Sequence, residues 1–440
     1  MGDAVLASNR YDRDEARASA TGRLTDMGGT GWRTLRGKLT WRPQGVDGAH
    51  IVDAGIGIDT WQLRTRVLAI SGDWRSGMPG ALASRFDGNT GTHSLWAQDA
   101  WRLAPGWTSV LGLRAEQWRA WGGLTQAAAN QIAHPERSAT HLSPKAALSH
   151  EMGALAGGEW VLKASTGRAV RNPTVSELYQ GGFNTLGQAI NTNPDLRPET
   201  GWTQEFSAEW STPATSLRAT VFHEDTHDAL YAQLNAATNT NTVQNIDHVR
   251  TTGLELAAQG QEVAVKGLAL QGSLTYADSR IVANRGYLLV PGDTLGKWQP
   301  RVPRWRASAL ATWQATPQLS VAYGARYSGV QYSALDNGAV NGFAYTGASR
   351  YFTTDLRLRY AFTRQWRAAF GIERQDGAEV FLAIAGLWER GGGVGTARRL
   401  RWSSGAGEGF DKRAQEELRR DHRGGRVAGQ AERQRIRAGR

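Results

Sequence analysis

The segment VFHEDTHDALYAQ, residues 221–233, holds His223, Glu224 and His227 in the H-E-x-x-H spacing of zinc peptidases. On a helix, residues four apart share a face, so both imidazoles can ligate one ion while the glutamate acts as a base. On a strand the same two histidines stand ~13 Å apart, too far for one tetrahedral zinc. The period of the surrounding chain therefore decides. Residues 216–222 read SLRATVF, with Leu217, Ala219 and Val221 on one face. That period of two predicts a strand that ends in a long loop just beyond the histidines, and the peptidase spacing is fortuitous.

Other local patterns fall in the same way. GGGVG at 391–395 follows no clear strand and opens no amphipathic helix, so it cradles no phosphate. Asp336-Asn337-Gly338 lacks the alternating acidic ligands of a calcium loop and reads as a turn in which Asn adopts a positive φ. The chain has no cysteine, which excludes disulfides, thiolate metal sites and cysteine nucleophiles. No catalytic residue, metal ligand or cofactor site is assigned, and an enzyme is not expected.

The dominant signal is alternation. Leu319–Ser328 sets Leu319, Val321, Tyr323, Ala325 and Tyr327 against Ser320, Ala322, Gly324, Arg326 and Ser328. Residues 352–362 set Phe352, Leu356, Leu358, Tyr360 and Phe362 against Asp355, Arg357 and Arg359. The same split recurs at 202–210, 305–314, 268–279 and 107–118. These strands run about nine to twelve residues, the length that crosses a bilayer at a tilt. Tight turns at 103–107, 211–215, 315–319 and 362–366 alternate with long polar segments at 119–138, 169–199, 231–248, 280–300 and 328–350. Short turns on one rim and long loops on the other are the pattern of an outer-membrane barrel. The 18 Trp and 11 Tyr among 440 residues suit its interfacial girdles. The expected fold is an all-β, antiparallel transmembrane β-barrel of about fifteen strands, with long extracellular loops.

The net charge of +11 is concentrated at one end. Residues 374–440 carry 15 Lys and Arg against 9 Asp and Glu, so the high isoelectric point describes a tail rather than the whole chain. Nucleic acid is not an expected partner of the barrel.

Two segments add a resemblance. TGRAVRNPTVSELYQ (166–180) supplies Arg171, Pro173, Thr174, Glu177, Leu178 and Tyr179, and NPDLRPETGWTQEFSAEW (193–210) supplies Asn193, Pro194, Leu196, Pro198 and Glu199. Together they resemble the barrel of TonB-dependent outer-membrane receptors of the siderophore type. SLWAQDAWRLAPGWTSVLGLRAE (94–116) and RYSGVQYSALDN (326–337) look like later strands of that family. The resemblance spans roughly residues 30–372. The motif residues look structural: prolines that fix turns and a glutamate available to backbone donors.

The resemblance implies a barrel of about 22 strands around an N-terminal plug, set in the outer membrane among lipid and lipopolysaccharide. It implies import of a ferric siderophore or similar scarce solute, energised by the TonB complex through a box on the plug, with no cofactor. The N-terminal residues show no signal, box or plug. Residues 1–30 read as an irregular start within the barrel, 31–373 as a partial barrel, and 374–440 as an irregular or disordered Arg-rich tail. One alternative is a plugless, porin-like passive channel, because about sixteen strands can close on themselves. Another is a soluble basic protein whose tail binds an anion such as nucleic acid, which would require strands without a lipid-facing belt.

Alternation is clean through Trp366, Ala368, Phe370 and Ile372 and stops within a few residues. A shifted reading frame would produce that boundary. Read in another frame from about codon 373, the coding DNA is expected to give a turn and an alternating strand ending in Phe or Trp. Stops or non-alternating sequence in both other frames would refute it.

Overall fold

The computed structural model describes residues 2–18, 22–127, 130–183, 189–190, 193–235, 240–285, 293–338, 350–363, 365–374, 378–386 and 398–403. In chain order the elements are β1 (Gly2–Arg10), β2 (Glu15–Ala18), β3 (Arg23–Asp26), β4 (Gly31–Trp41), β5 (His50–Ser71), β6 (Met78–Ala104), β7 (Trp107–Ala127), β8 (Asn130–His134), β9 (Arg137–Leu155) and β10 (Gly158–Arg171). Then come α1 (Val175–Tyr179), β11 (Gly182–Phe183), β12 (Ala189–Ile190), β13 (Glu199–Ser211), β14 (Thr215–Asn235), β15 (Thr240–Gly260) and β16 (Leu268–Ala283). The last are β17 (Trp305–Gln314), β18 (Leu319–Ser328), β19 (Tyr351–Ala361), β20 (Trp366–Arg374), β21 (Ala378–Gly386) and β22 (Arg398–Ser403).

All but β11 and β12 join one antiparallel sheet of 20 strands. Several of these are halves of one longer strand. Both β3 and β4 pair with β5, β2 pairs with β3 where β1 pairs with β4, and both β8 and β9 pair with β7. Merging those halves leaves 17 strand positions among the described residues, each hydrogen-bonded to its neighbour in sequence. Among them no pairing joins β22 back to β1.

The alternation is realised as two faces of the wall. Leu35 pairs with Ile58 and Leu39 with Ala54, all on one face; Arg36 opposite Gly57 and Lys38 opposite Gly55 occupy the other. On the apolar face, Trp202 and Trp210, Trp305 and Trp313, and Phe352 and Tyr360 stand eight residues apart on β13, β17 and β19. At ~3.4 Å per residue and a tilt of about 40°, that spacing separates two aromatic girdles by ~20 Å, close to the height of an outer-membrane apolar band. Leu95 and Leu111 are more than half exposed on this face, and Leu217 nearly so, as lipid contact requires. Among the described residues no helix is long and apolar enough to cross a membrane; the strands do it.

Three expectations need correction. Residues 1–30 were expected to be irregular, yet β1 to β3 occupy most of them, because β1 takes its register from β4 and needs little alternation of its own. The loops expected at 119–138 and 231–248 are mostly strand: β7 runs to Ala127, β14 to Asn235, and β15 begins at Thr240. Above the bilayer both faces meet water, so the hairpins continue on backbone hydrogen bonds while the period-two signal disappears. Past residue 373, β21 pairs with β20 and β22 with β21, so the expected irregular tail begins with sheet. GGGVG and the rest of the tail, 404–440, lie outside the described residues.

The two faces differ in what they tolerate. Leu254→Arg, mid-belt on the lipid side, is expected to lower the unfolding free energy in vesicles by ~2–4 kcal/mol, whereas Ser207→Arg on the lumen side should change it by under ~1 kcal/mol. Urea titration of both variants measures the difference. Equal costs would mean the faces are wrongly assigned.

Candidate ligand vestibule and lumen wall

The described residues between β10 and β13, 172–183 and 193–198 with β12, pack on the lumen side of the wall. The short helix α1 starts with a capping box: Thr174 Oγ1 accepts the Glu177 amide at 3.2 Å and Glu177 accepts the Thr174 amide at 2.9 Å. Arg171 Nη2 donates to the other Glu177 oxygen at 2.5 Å, which ties the helix to the end of β10. Pro173 is buried beside the cap. Leu178 and Tyr179 point into the wall with 0% and 1% exposure.

Tyr179 requires two glycines. A Cβ on Gly88 of β6 would stand 2.0 Å from the ring and one on Gly123 of β7 2.4 Å from it, so the phenol lies directly on bare backbone. His134 stacks over it at 5.7 Å and meets Thr125 Oγ1 at 2.9 Å. Burial holds the His134 pKa below its ordinary 6.5, a shift the Asp195 charge opposes. Burial also raises that of Tyr179.

The second half of the motif anchors the return leg. Asn193 donates to the Val243 carbonyl at 3.0 Å and accepts the Asp195 amide at 3.1 Å. Arg137 donates to the Pro194 carbonyl, and Leu196 is fully buried. Pro198 is half-buried just before β13, whose first residue, Glu199, accepts the Leu230 amide at 2.8 Å. Leu63, Trp118, Ala120, Val175, Leu178, Tyr179 and Leu196 form one core, against which Met27, Ala139, Leu230 and Val243 pack. The segment thus bridges β5 and β7 to β14 and β15 at the barrel mouth. All eleven motif residues take part in or flank this anchor.

A second core holds another loop. Leu335 is buried with Ala229, Ile246, Val249 and Ile281, and Tyr231 donates to the Ser333 carbonyl at 3.0 Å. Asn337, at φ 58°, clamps both the amide and the carbonyl of Trp298 at 2.8 and 2.9 Å. The turn expected at Asp336-Asn337-Gly338 is therefore present, with the positive φ at Asn337.

Below the mouth, the lumen face is polar. Trp32 and Trp61 pair at 6.0 Å, and beneath them stand Arg36 with Asp59 at 3.4 Å and Lys38 with Asp53 at 3.3 Å. Across β17, β18 and β19 a recess of about 490 Å³ is lined by Ser308, Thr312, Arg326, Asp355, Arg357 and Arg359. Arg326 reaches Asp355 at 3.5 Å. Three guanidinium groups around one carboxylate make this stretch of wall a surface for anions.

The H-E-x-x-H residues lie within β14. His223 hydrogen-bonds Asp225 at 2.9 Å, while His227 stacks at 4.3 Å on His248, whose Nε2 bonds the other Asp225 oxygen at 2.7 Å, so the two histidines have different direct partners. Among the described residues no group of three His, Asp or Glu could hold a metal ion. The strand expectation holds there, though β14 continues past the histidines.

The model of the TonB dependent receptor-like β-barrel family matches residues 3–373. The chain belongs to the TonB-dependent receptor β-barrel family. That family is one of outer-membrane β-barrels. An iron-regulated outer membrane virulence protein of Vibrio cholerae serotype O1 is 26% identical over 295 residues, 62% of this chain and 39% of that protein's length. This TonB-dependent receptor barrel thus spans about two fifths of that relative. Among solved structures, the siderophore receptor PiuA from Acinetobacter baumannii superposes with a TM-score of 0.60 at 17% identity, covering 86% of this chain and 58% of PiuA. The copper transporter OprC gives 0.59 at 19%, covering 80% and 51%. At those identities the likeness concerns fold. The capping box at Thr174 to Glu177 was readable in the sequence; the glycine seat of Tyr179 was not, because its partners lie over 50 residues away.

Two outcomes are expected. Tyr179→Ala should cost ~3–5 kcal/mol of loop docking, read as faster amide exchange in residues 172–198; unchanged exchange would refute the anchor. Because the neutral form of His134 is the one buried, its contribution is full above pH 6.5 and lost as pH falls through the lowered folded pKa. The same exchange should accelerate on acidification, and in His134→Gln that acceleration should vanish.

Proposed function

We propose that the chain forms the wall and mouth of a TonB-energised receptor that takes up a ferric siderophore or a similar scarce anionic chelate. The observation that carries the reading is the family match over residues 3–373 combined with a lumen recess dominated by Arg326, Arg357 and Arg359. The iron-regulated relative and the siderophore receptor of like fold support an iron chelate over other solutes. The anchored segments at the mouth form the catching surface, and the charged lumen wall encloses the plug domain that contacts TonB. The porin-like alternative gains no support from the strand pairings, since none among the described residues closes the wall.

Uptake of a panel of radioiron chelates by cells carrying the gene tests this. At least one ferric chelate should accumulate only when TonB is present, and Arg326→Ser with Arg359→Ser should weaken its binding ~10-fold or more, as expected for lost charge-assisted contacts. TonB-independent passage of many small solutes would favour the passive channel instead.

A further inference from the structure

The wall is not paired evenly toward its upper end. β9 and β10 share a ladder from the Gly158–Leu155 pair up to the Gly167–Lys145 pair, and among the described residues no backbone pair joins them above it. Both strands nevertheless continue. β9 extends up to Arg137 against β7, and β10 extends up to Arg171 against β13, where Arg168 stands opposite Trp202 of the upper girdle. A seam therefore starts at girdle height and rises from it. Unpaired backbone is tolerable there because it meets water rather than hydrocarbon.

The sequence builds this seam. The Leu142 carbonyl accepts Arg168 Nη1 at 2.8 Å, so residue 142 turns its backbone polar groups toward β10. Alternation along the strand gives Pro144 the same direction. Proline has no N–H to donate, and the ladder stops at its neighbour Lys145. Side chains then tie the two banks. Arg168 is one strut, and Arg137 of β9 donates to the Pro194 carbonyl on the leg that returns to β13. The helix α1 is the third tie. Arg171 of β10 holds its Glu177 at 2.5 Å, while Leu178 and Tyr179 pack with Leu63 and Trp118 of β5 and β7 and with Ala139 of β9.

Closed, the seam leaves three polar atoms buried with no protein hydrogen-bond partner: His141 Nε2 and Ser143 Oγ on β9, and Asn172 Oδ1 just past β10. Such groups regain hydrogen bonds when water reaches them, so hydration works against the ties. We propose that the two banks form a lateral gate in the barrel mouth, latched by Tyr179 in its glycine seat. With the latch released, β9 stays on β7 and β10 stays on β13, and a slit opens between them down to the Gly167–Lys145 pair. The slit widens the mouth sideways for a bulky solute. The gate is a property of the strand pairing and is independent of which solute is carried, so a failed uptake experiment leaves it standing.

The test uses the full chain in outer membranes, where the absence of cysteine allows paired spin labels. One pair, at Thr140 and Val170, faces outward across the seam, and a control pair, at Leu148 and Ala164, faces outward across the intact ladder. Pulsed dipolar spectroscopy should give one dominant distance for each pair in the parent chain. Tyr179→Ala should move most of the seam population to distances longer by at least one strand spacing, ~5 Å, and leave the control pair unchanged. Adding Pro144→Ala, which restores the missing donor, should return part of that population to the short distance. Should Tyr179→Ala fail to insert, Arg168→Gln, which removes the strut, carries the comparison and should lengthen the same pair. A seam distance that neither Tyr179→Ala nor Arg168→Gln moves would overturn the gate. So would equal broadening of both pairs, which would mark a general loosening of the wall.

Discussion

A backbone that crosses hydrocarbon must hydrogen-bond to backbone, because each unpaired amide or carbonyl there costs several kcal/mol. Every other feature of this molecule is arranged around that constraint. Each strand position is bonded to the next in sequence, so the wall is a continuous meander that needs no long crossover. Side chains alternate across it, and the chain can then be apolar toward lipid and charged toward the lumen without conflict. Arg357 and Arg359 sit two residues apart on β19 with Leu358 between them facing lipid. One strand thereby serves two solvents.

The same constraint relaxes above the bilayer, and this is where the molecule becomes specific. Free of hydrocarbon, β14 and β15 extend as a hairpin, and the described parts of the segments after β10 and β18 bury small cores of their own. Tyr179 on its two glycines and Asn337 around the Trp298 backbone are local solutions that hold those segments against the wall. A mouth fixed at several points presents a shaped surface to a solute, and the cationic lumen recess continues that surface inward.

Much of this was legible in the sequence. Alternation at Leu319–Ser328 and Trp305–Gln314 showed the belt, and the residues from Arg171 to Glu199 carried the family resemblance. Strand period also disposed of the peptidase spacing at His223 and His227. What escaped were features with no period. β1 borrows its register from β4, and the upper halves of β7, β14 and β15 face water on both sides. Gly88 and Gly123 look like ordinary strand glycines until Tyr179 is placed on them. His223 and Asp225 read as the upper end of a strand, and only the pairing of β13, β14 and β15 shows which residues stand beside them.

The absence of cysteine makes the central claim directly measurable. Single cysteines placed at Ala219, Thr220, Val221 and Phe222 in outer membranes can each carry a fluorophore. Quenching by brominated lipid should strike positions 219 and 221 and spare 220 and 222, while an aqueous quencher should show the opposite pattern. Uniform aqueous quenching along all four positions would contradict a membrane wall with one face to lipid and one to a charged lumen.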